Sequence, residues 1–196
     1  MSTALDRLAR ELATPGDPIA AALRPAGDRS APDMGAGALI DSGPRAVDHP
    51  AGLGFVAEAV REGHLLHRGR SRLLYGDDDD LMLLAGDRCY ALGLEQLAAA
   101  DDLAAIETLA ALIARGADAL AGGDEALADT LWEAAALTLG WGPDPELDAA
   151  VTRAAAGGDG AHEALRTELT AARERLGAGD RTASCKSENA RRHRPR

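Results

Sequence analysis

From Phe55 to Leu176, apolar side chains return every three or four residues in one segment after another, and Gly, Asp or Pro separates the segments. That period lines one face of an α-helix, whereas a half-buried strand would alternate every second residue. Composition reinforces the pattern. Ala and Leu dominate, β-branched residues are sparse and aromatics make up 3% of the chain. Ala and Leu are favourable in helices, and strands favour the types that are scarce here. The expectation is an all-α, single-domain bundle of seven or eight helices, since 196 residues suffice for one substantial core. Small side chains allow its helices to approach closely.

Residues 3–13 predict a short amphipathic helix with Leu5, Leu8, Ala9 and Leu12 on one side. Thr14-Pro15-Gly16 ends it, and Asp17-Pro18 caps another turn or two running to Leu23. From Arg24 to Gly54 the chain is rich in Pro, Gly, Asp and Ser, which predicts a long irregular segment with a short helix near Gly37–Ile40. A helix follows over Phe55–Leu66, weakened by Gly63. The next starts at the aspartate run Asp77–Asp80 and extends to Ala99. Its apolar residues lie around most of the circumference, as in a central helix packed on several sides. Gly86 and Gly93 leave a small-residue groove on one of its faces.

Asp101-Asp102 cap a helix with the stripe Ile106, Leu109, Ile113, Ala117 and Leu120. Asp124 opens one bearing Leu127, Leu131, Ala135 and Thr138, beside Trp132, and Asp144-Pro145-Glu146 starts another that runs to Ala156. A last helix carries His162, Leu165, Leu169, Ala172 and Leu176. The helical domain thus spans 1–180, and the polar, basic tail 181–196 is expected to be disordered.

Charge narrows the partners. The tail holds six Arg or Lys against one Glu, so removing its +5 from the net −11 leaves −16 on the first 180 residues. An acidic body argues against nucleic acid, whose phosphates need a positive face. No apolar run approaches the roughly 20 residues that cross a bilayer, and the amino terminus has no signal-peptide core. The expectation is a cytoplasmic protein with no transmembrane segment, its basic tail either a solvated extension or a weak contact for an anionic membrane surface. Cys89 and Cys185 are far apart and outside any CxxC pair. They indicate no metal site or disulfide framework, and Cys89 reads as a small buried hydrophobe.

Residues 67–97 are the most distinctive stretch: His67-Arg68-Gly69, then Tyr75-Gly76, then Leu83-Leu84-Ala85-Gly86-Asp87 and Tyr90-Ala91-Leu92-Gly93-Leu94-Glu95-Gln96-Leu97. This order resembles the middle of the trans-prenyl (polyprenyl) diphosphate synthases. In that family an Asp-rich DDxxD motif is followed by Arg-Arg-Gly and then by a helix opening near Ala-Gly-Asp-Ala-Leu-Leu. The resemblance covers about a fifth of the chain, and implies a truncated isoprenoid-synthase-like fold.

The departures from that pattern bear on catalysis. Ionising an allylic diphosphate needs Mg²⁺ held by carboxylates one helical turn apart. At the place of the first Asp-rich motif, Phe55–Leu66 offers only Glu58 and Glu62, an i, i+4 pair on one face, followed by His64. The nearest substitute for the second motif, Asp124-Glu125 with Asp129, reads better as a helix amino terminus. The resemblance therefore implies a catalytically silent small subunit of a heteromeric synthase. Such a subunit supplies tunnel wall and regulation to a catalytic prenyl diphosphate synthase partner, with no cofactor of its own and Mg²⁺ relevant only to residual synthase activity. The candidate tunnel or core helix residues are Leu84, Gly86, Asp87, Tyr90 and Gly93.

Arg68, Arg70 and Arg72 are candidate diphosphate-binding residues, because guanidinium groups match phosphate oxygens; solvated loop arginines are the alternative. Asp77–Asp80 read as a favourable helix start rather than a metal cluster, since four consecutive residues point around a helix. Asp87 reads as a satisfied structural carboxylate or as a functional group near a pocket. His64 and His67 lack a third ligand for zinc, and no metal or catalytic residue is assigned. A different class of function also fits: a helical adaptor with no isoprenoid ligand, associating through the seam His162–Leu176.

Overall fold

Side-chain caps and glycines set where each helix starts and stops. The computed structural model describes residues 4–29 and 36–178, and all regular structure among them beyond one isolated bridge is helical. The helices are α1 (Ala4–Leu12), α2 (Pro18–Ala22), α3 (Ala36–Asp41), α4 (Leu53–Leu66), α5 (Asp79–Ala99), α6 (Leu103–Ala121), α7 (Glu125–Trp141), α8 (Pro145–Ala156) and α9 (Ala161–Arg175). The all-α class is as the composition predicts. Nine helices are described rather than seven or eight because the short α2 and α3 stand as separate elements. No described helix is long and apolar enough to cross a membrane. The tail 181–196, with Cys185, lies outside the described residues.

The predicted caps are in place. Asp17 accepts the Ile19 N–H at 2.9 Å and Pro18 opens α2; Asp78 accepts the Leu81 N–H at 3.1 Å, and Asp124 the Leu127 N–H at 2.8 Å. Each satisfies one of the donors a helix start leaves unpaired. Within the segment read as irregular from Arg24 to Gly54, a 3₁₀ turn (Ala26–Asp28) and α3 form, and α4 begins at Leu53. Residues 30–35 of that segment lie outside the described residues.

The described residues group into two compact units, those within Met1–Ala38 and Asp48–Leu109 and those within Leu39–Val47 and Ala110–Arg196. In the first, α1 and α5 both pack on α4. Leu5, Leu8, Ala9 and Leu12 of α1 join Phe55, Ala59 and Leu66 of α4 and Met82, Ala85 and Cys89 of α5 in one apolar cluster. A short antiparallel pairing ties the chain after α2 to the chain before α5. The Arg24 N–H donates to the Leu73 carbonyl at 2.7 Å and the Tyr75 N–H to that of Ala22 at 2.8 Å.

In the second unit, α7 packs on α8 and α9, and it is buried around most of its circumference, Leu127, Leu131, Trp132, Leu137 and Leu139 included. Asp144 caps α8 by accepting the Glu146 and Leu147 N–H groups at 3.0 Å each, while Arg175 from the last turn of α9 grips the same carboxylate at 2.8 and 2.9 Å.

Two expectations are corrected. The helix packed on several sides is α7, whereas α5 buries one side only and exposes Leu83, Leu84 and Leu94. The α6 stripe is Ala105, Leu109, Leu112 and Ala119; of the expected Ile106, Leu109, Ile113, Ala117 and Leu120, Leu109 alone is buried. Ala, Leu and Ile occur on several faces of α6, so its periodicity fits two neighbouring stripes and packing chooses between them.

Candidate functional site

An amphipathic helix turns its charges to water, yet α4 points Glu58 and Glu62 inward, leaving them 3% and 0% exposed. Burying a carboxylate is costly unless it is paired and hydrogen-bonded. Arg72, 7% exposed, supplies the pairing from the chain between α4 and α5. Its Nη1 donates to Glu58 Oε2 at 2.7 Å and its Nε to Glu62 Oε2 at 2.9 Å. The i, i+4 spacing puts both carboxylates on one face, within span of a single guanidinium.

The remaining oxygens are also taken. Glu58 Oε1 accepts the Gly37 N–H at 2.9 Å. Glu62 Oε1 accepts the Ser71 hydroxyl at 2.6 Å, the Arg72 N–H at 2.9 Å and the Leu73 N–H at 3.2 Å. Ser71 Oγ in turn accepts the Leu73 and Leu74 N–H groups at 3.0 and 2.8 Å. Burial by itself would lower the Arg72 pKa, but Glu58 and Glu62 together hold it above its ordinary value. Two carboxylates and one guanidinium leave one excess negative charge, spread over backbone N–H donors and a hydroxyl. The arrangement fixes the chain after α4 against that helix and sets Leu73 and Leu74 for their pairing with residues 22–24.

This overturns the reading of Arg72 as a diphosphate ligand, because its guanidinium is buried and committed to two acids. It also occupies the i, i+4 pair Glu58 and Glu62 that stands at the place of the first Asp-rich motif. Arg68 and Arg70 are exposed. Beside them His64 has its pKa lowered from 6.5 by burial and then by its neighbours Arg68, His67 and Arg61, and Arg61, Arg68 and Arg70 make this end of α4 basic. Among the described residues, no group of three or more His, Cys, Asp or Glu is arranged to hold a metal ion.

The candidate tunnel helix is likewise changed. Gly86 and Gly93 line no groove, because α4 fills it. A Cβ on Gly86 would overlap the His67 ring, and one on Gly93 would lie 3.1 Å from Val60 Cγ2. From the α4 side, a Cβ on Gly63 would meet the Gly86 carbonyl oxygen at 2.9 Å and the Tyr90 ring at 3.1 Å. Gly63 is therefore a packing residue that admits backbone-to-backbone contact, not merely a weak point in its helix. Tyr90 is half-buried and meets the His67 ring edge-on at 5.2 Å.

Leu84 is 58% exposed and not a core residue. Asp87 is exposed too, and binds His67 Nε2 at 3.0 Å across the surface of the α4–α5 pair. Cys89 is fully buried beneath α4, and burial pushes its thiol pKa up to about 12. On α9, Leu165, Leu169 and Ala172 are buried in a unit where α7 and α8 pack on that helix. The seam proposed for association is thus used within the chain.

Sequence reasoning missed Arg72 as the partner of Glu58 and Glu62, for which two acids on the apolar side of α4 are the available signal. It also missed the His49 ring. Its Nδ1 accepts the Ala51 N–H at 3.2 Å, so Nε2 carries the proton and donates to Asp102 Oδ2 at 3.1 Å. Asp102 Oδ1 accepts the Ala105 N–H at 2.9 Å, which links the irregular segment to the start of α6. No family model, no curated protein and no solved structure matches the chain.

Proposed function

We propose that the protein is a non-catalytic, subunit-like homologue of the polyprenyl diphosphate synthases, acting in isoprenoid formation through a catalytic partner. The observation that carries the loss of catalysis is the Arg72 guanidinium seated between Glu58 and Glu62. Carboxylates that must gather Mg²⁺ at a diphosphate have to present free oxygens to the metal. Here a fixed cation already fills that role, and a buried one is not displaced without leaving charge uncompensated. The motif order from Arg68 to Leu97 supports the family assignment. Diphosphate contact is assigned to Arg68 and Arg70 on the basic end of α4.

A second reading, a helical scaffold with no isoprenoid ligand, is favoured by one specific observation: α4 fills the Gly86–Gly93 face that a prenyl chain would need. One experiment separates the two. The purified chain is incubated with isopentenyl and allylic diphosphates and Mg²⁺, alone and with the full-length prenyl synthase of the same genome. The proposal expects no turnover alone and an altered product length with the synthase. Turnover by the single chain overturns it, and a synthase whose products ignore the chain leaves the scaffold reading.

A further inference from the structure

We propose that the outward face of α5 is a docking surface for one amphipathic helix of a partner protein, whose apolar stripe is flanked by Lys or Arg. The proposal deepens the partner-dependent reading above and rests on it only in requiring that a protein partner exists. Leu83, Leu84 and Leu94 are 47%, 58% and 46% exposed, and Ala91 and Ala98 are exposed with them. Leu83, Asp87, Ala91, Leu94 and Ala98 follow one another at steps of four, four, three and four residues, the spacing of one helix face. Leu84 borders that face one turn from Asp87 and two from Ala91. Single exposed leucines are ordinary on a protein surface, but a row about 22 Å long from Leu83 to Ala98 matches the anchor spacing of a helix laid in a groove.

Charge selects the occupant. Asp80 and Glu95 are exposed among these apolar residues, and Asp87, exposed with them, already holds His67 Nε2 at 3.0 Å. Arg88, the one cation in the α5 sequence, is turned aside to Asp17 and Thr14. A second copy of the chain presented through the same face would bring these carboxylates against each other, and an anionic membrane would be repelled. A helix with basic flanks meets both the leucines and the acids.

The test uses the whole 196-residue chain and two fluorescein-labelled helical peptides of about 20 residues with the same leucine stripe, one flanked by Lys and one by Glu. Fluorescence anisotropy should show the Lys peptide binding at least about tenfold more tightly, with the difference shrinking at about 0.5 M NaCl. Leu84→Glu with Leu94→Glu should weaken the Lys peptide about tenfold or more, although the variant is more acidic. Merely electrostatic attraction would strengthen instead. Asp80→Lys with Glu95→Lys should reverse the peptide preference, and it tests the surface independently if circular dichroism shows the leucine variant unfolded. Equal binding of both peptides, or no binding at about 100 µM, overturns the proposal, as does binding that ignores both variants. A dimer in solution that the leucine variant dissociates overturns it in favour of a second copy as occupant. If the peptides behave as expected while no synthase responds to the chain, the surface stands and only the isoprenoid assignment falls.

Discussion

Removing Arg72 should destabilise the protein more than neutralising Glu58. Arg72→Met deletes the bonds to Glu62 Oε2 at 2.9 Å and to Glu58 Oε2 at 2.7 Å while leaving both carboxylates buried. Charges about 4 Å apart at an effective dielectric near 20 interact by about 4 kcal/mol, and breaking a buried pair from one side costs about 3–5 kcal/mol. Backbone N–H groups and the Ser71 hydroxyl remain on Glu62, and Gly37 on Glu58, which keeps the estimate inside that range rather than above it. A domain of this size has a total stability of about 5–15 kcal/mol, so the loss takes at least about a fifth of it.

Glu58→Gln behaves differently. The amide oxygen still accepts from Gly37, but the amide NH2 then faces the Arg72 Nη1 donor and that bond is lost; Arg72 keeps the charge of Glu62, and the excess buried negative charge disappears. The expected loss is about 1.5–3 kcal/mol. Urea unfolding followed by circular dichroism reads both variants, and the comparison is sound where the m-value is unchanged. If Arg72→Met loses no more than Glu58→Gln at equal m, the cluster is not the electrostatic clamp described above.

Two other perturbations test the remaining contacts. Gly63→Ala should lower stability by about 1–3 kcal/mol, because its Cβ meets the Gly86 carbonyl oxygen and neither backbone can yield. Gly86→Ala should cost less, since it chiefly displaces the His67 side chain from a surface pairing with Asp87; a larger loss of Tm for Gly86→Ala refutes this packing order. The Leu147 N–H first, then Arg175 and the Glu146 N–H, hold the Asp144 pKa below 3.8 against the opposing effect of burial. A carboxylate with a depressed folded-state pKa contributes stability that is present above the unfolded value and is lost as pH falls through the folded one. Asp144→Asn, which can still cap α8, should therefore be less stable than the parent at neutral pH, with the two urea midpoints converging below pH 3.8; parallel curves would rule this out.

Local information was enough for the helices, because caps and stripes act over a few residues. Asp17, Asp78, Asp124 and Asp144 each bond N–H groups two or three positions ahead, so their roles are written in neighbouring letters. The stripe of α1 is legible for the same reason: its four buried residues, Leu5, Leu8, Ala9 and Leu12, lie on one face. The candidate site was legible only in part. The i, i+4 spacing of Glu58 and Glu62 is visible in the sequence, but the cation that claims them lies ten residues beyond Glu62, after a break in the helix. Nothing local distinguishes Arg72 from Arg68 and Arg70.

Sequence by itself determined the helical class, the cap positions and the acidic character of the chain, since propensity, capping and net charge are properties of residues and their near neighbours. Tertiary structure alone decided which apolar face of α5 meets α4 and which is left to water. That choice depends on Gly63 and Gly86 letting two backbones touch, a contact between residues far apart in the chain. It turned a supposed groove into a closed seam, and left the leucines on the far side of the same helix exposed to solvent.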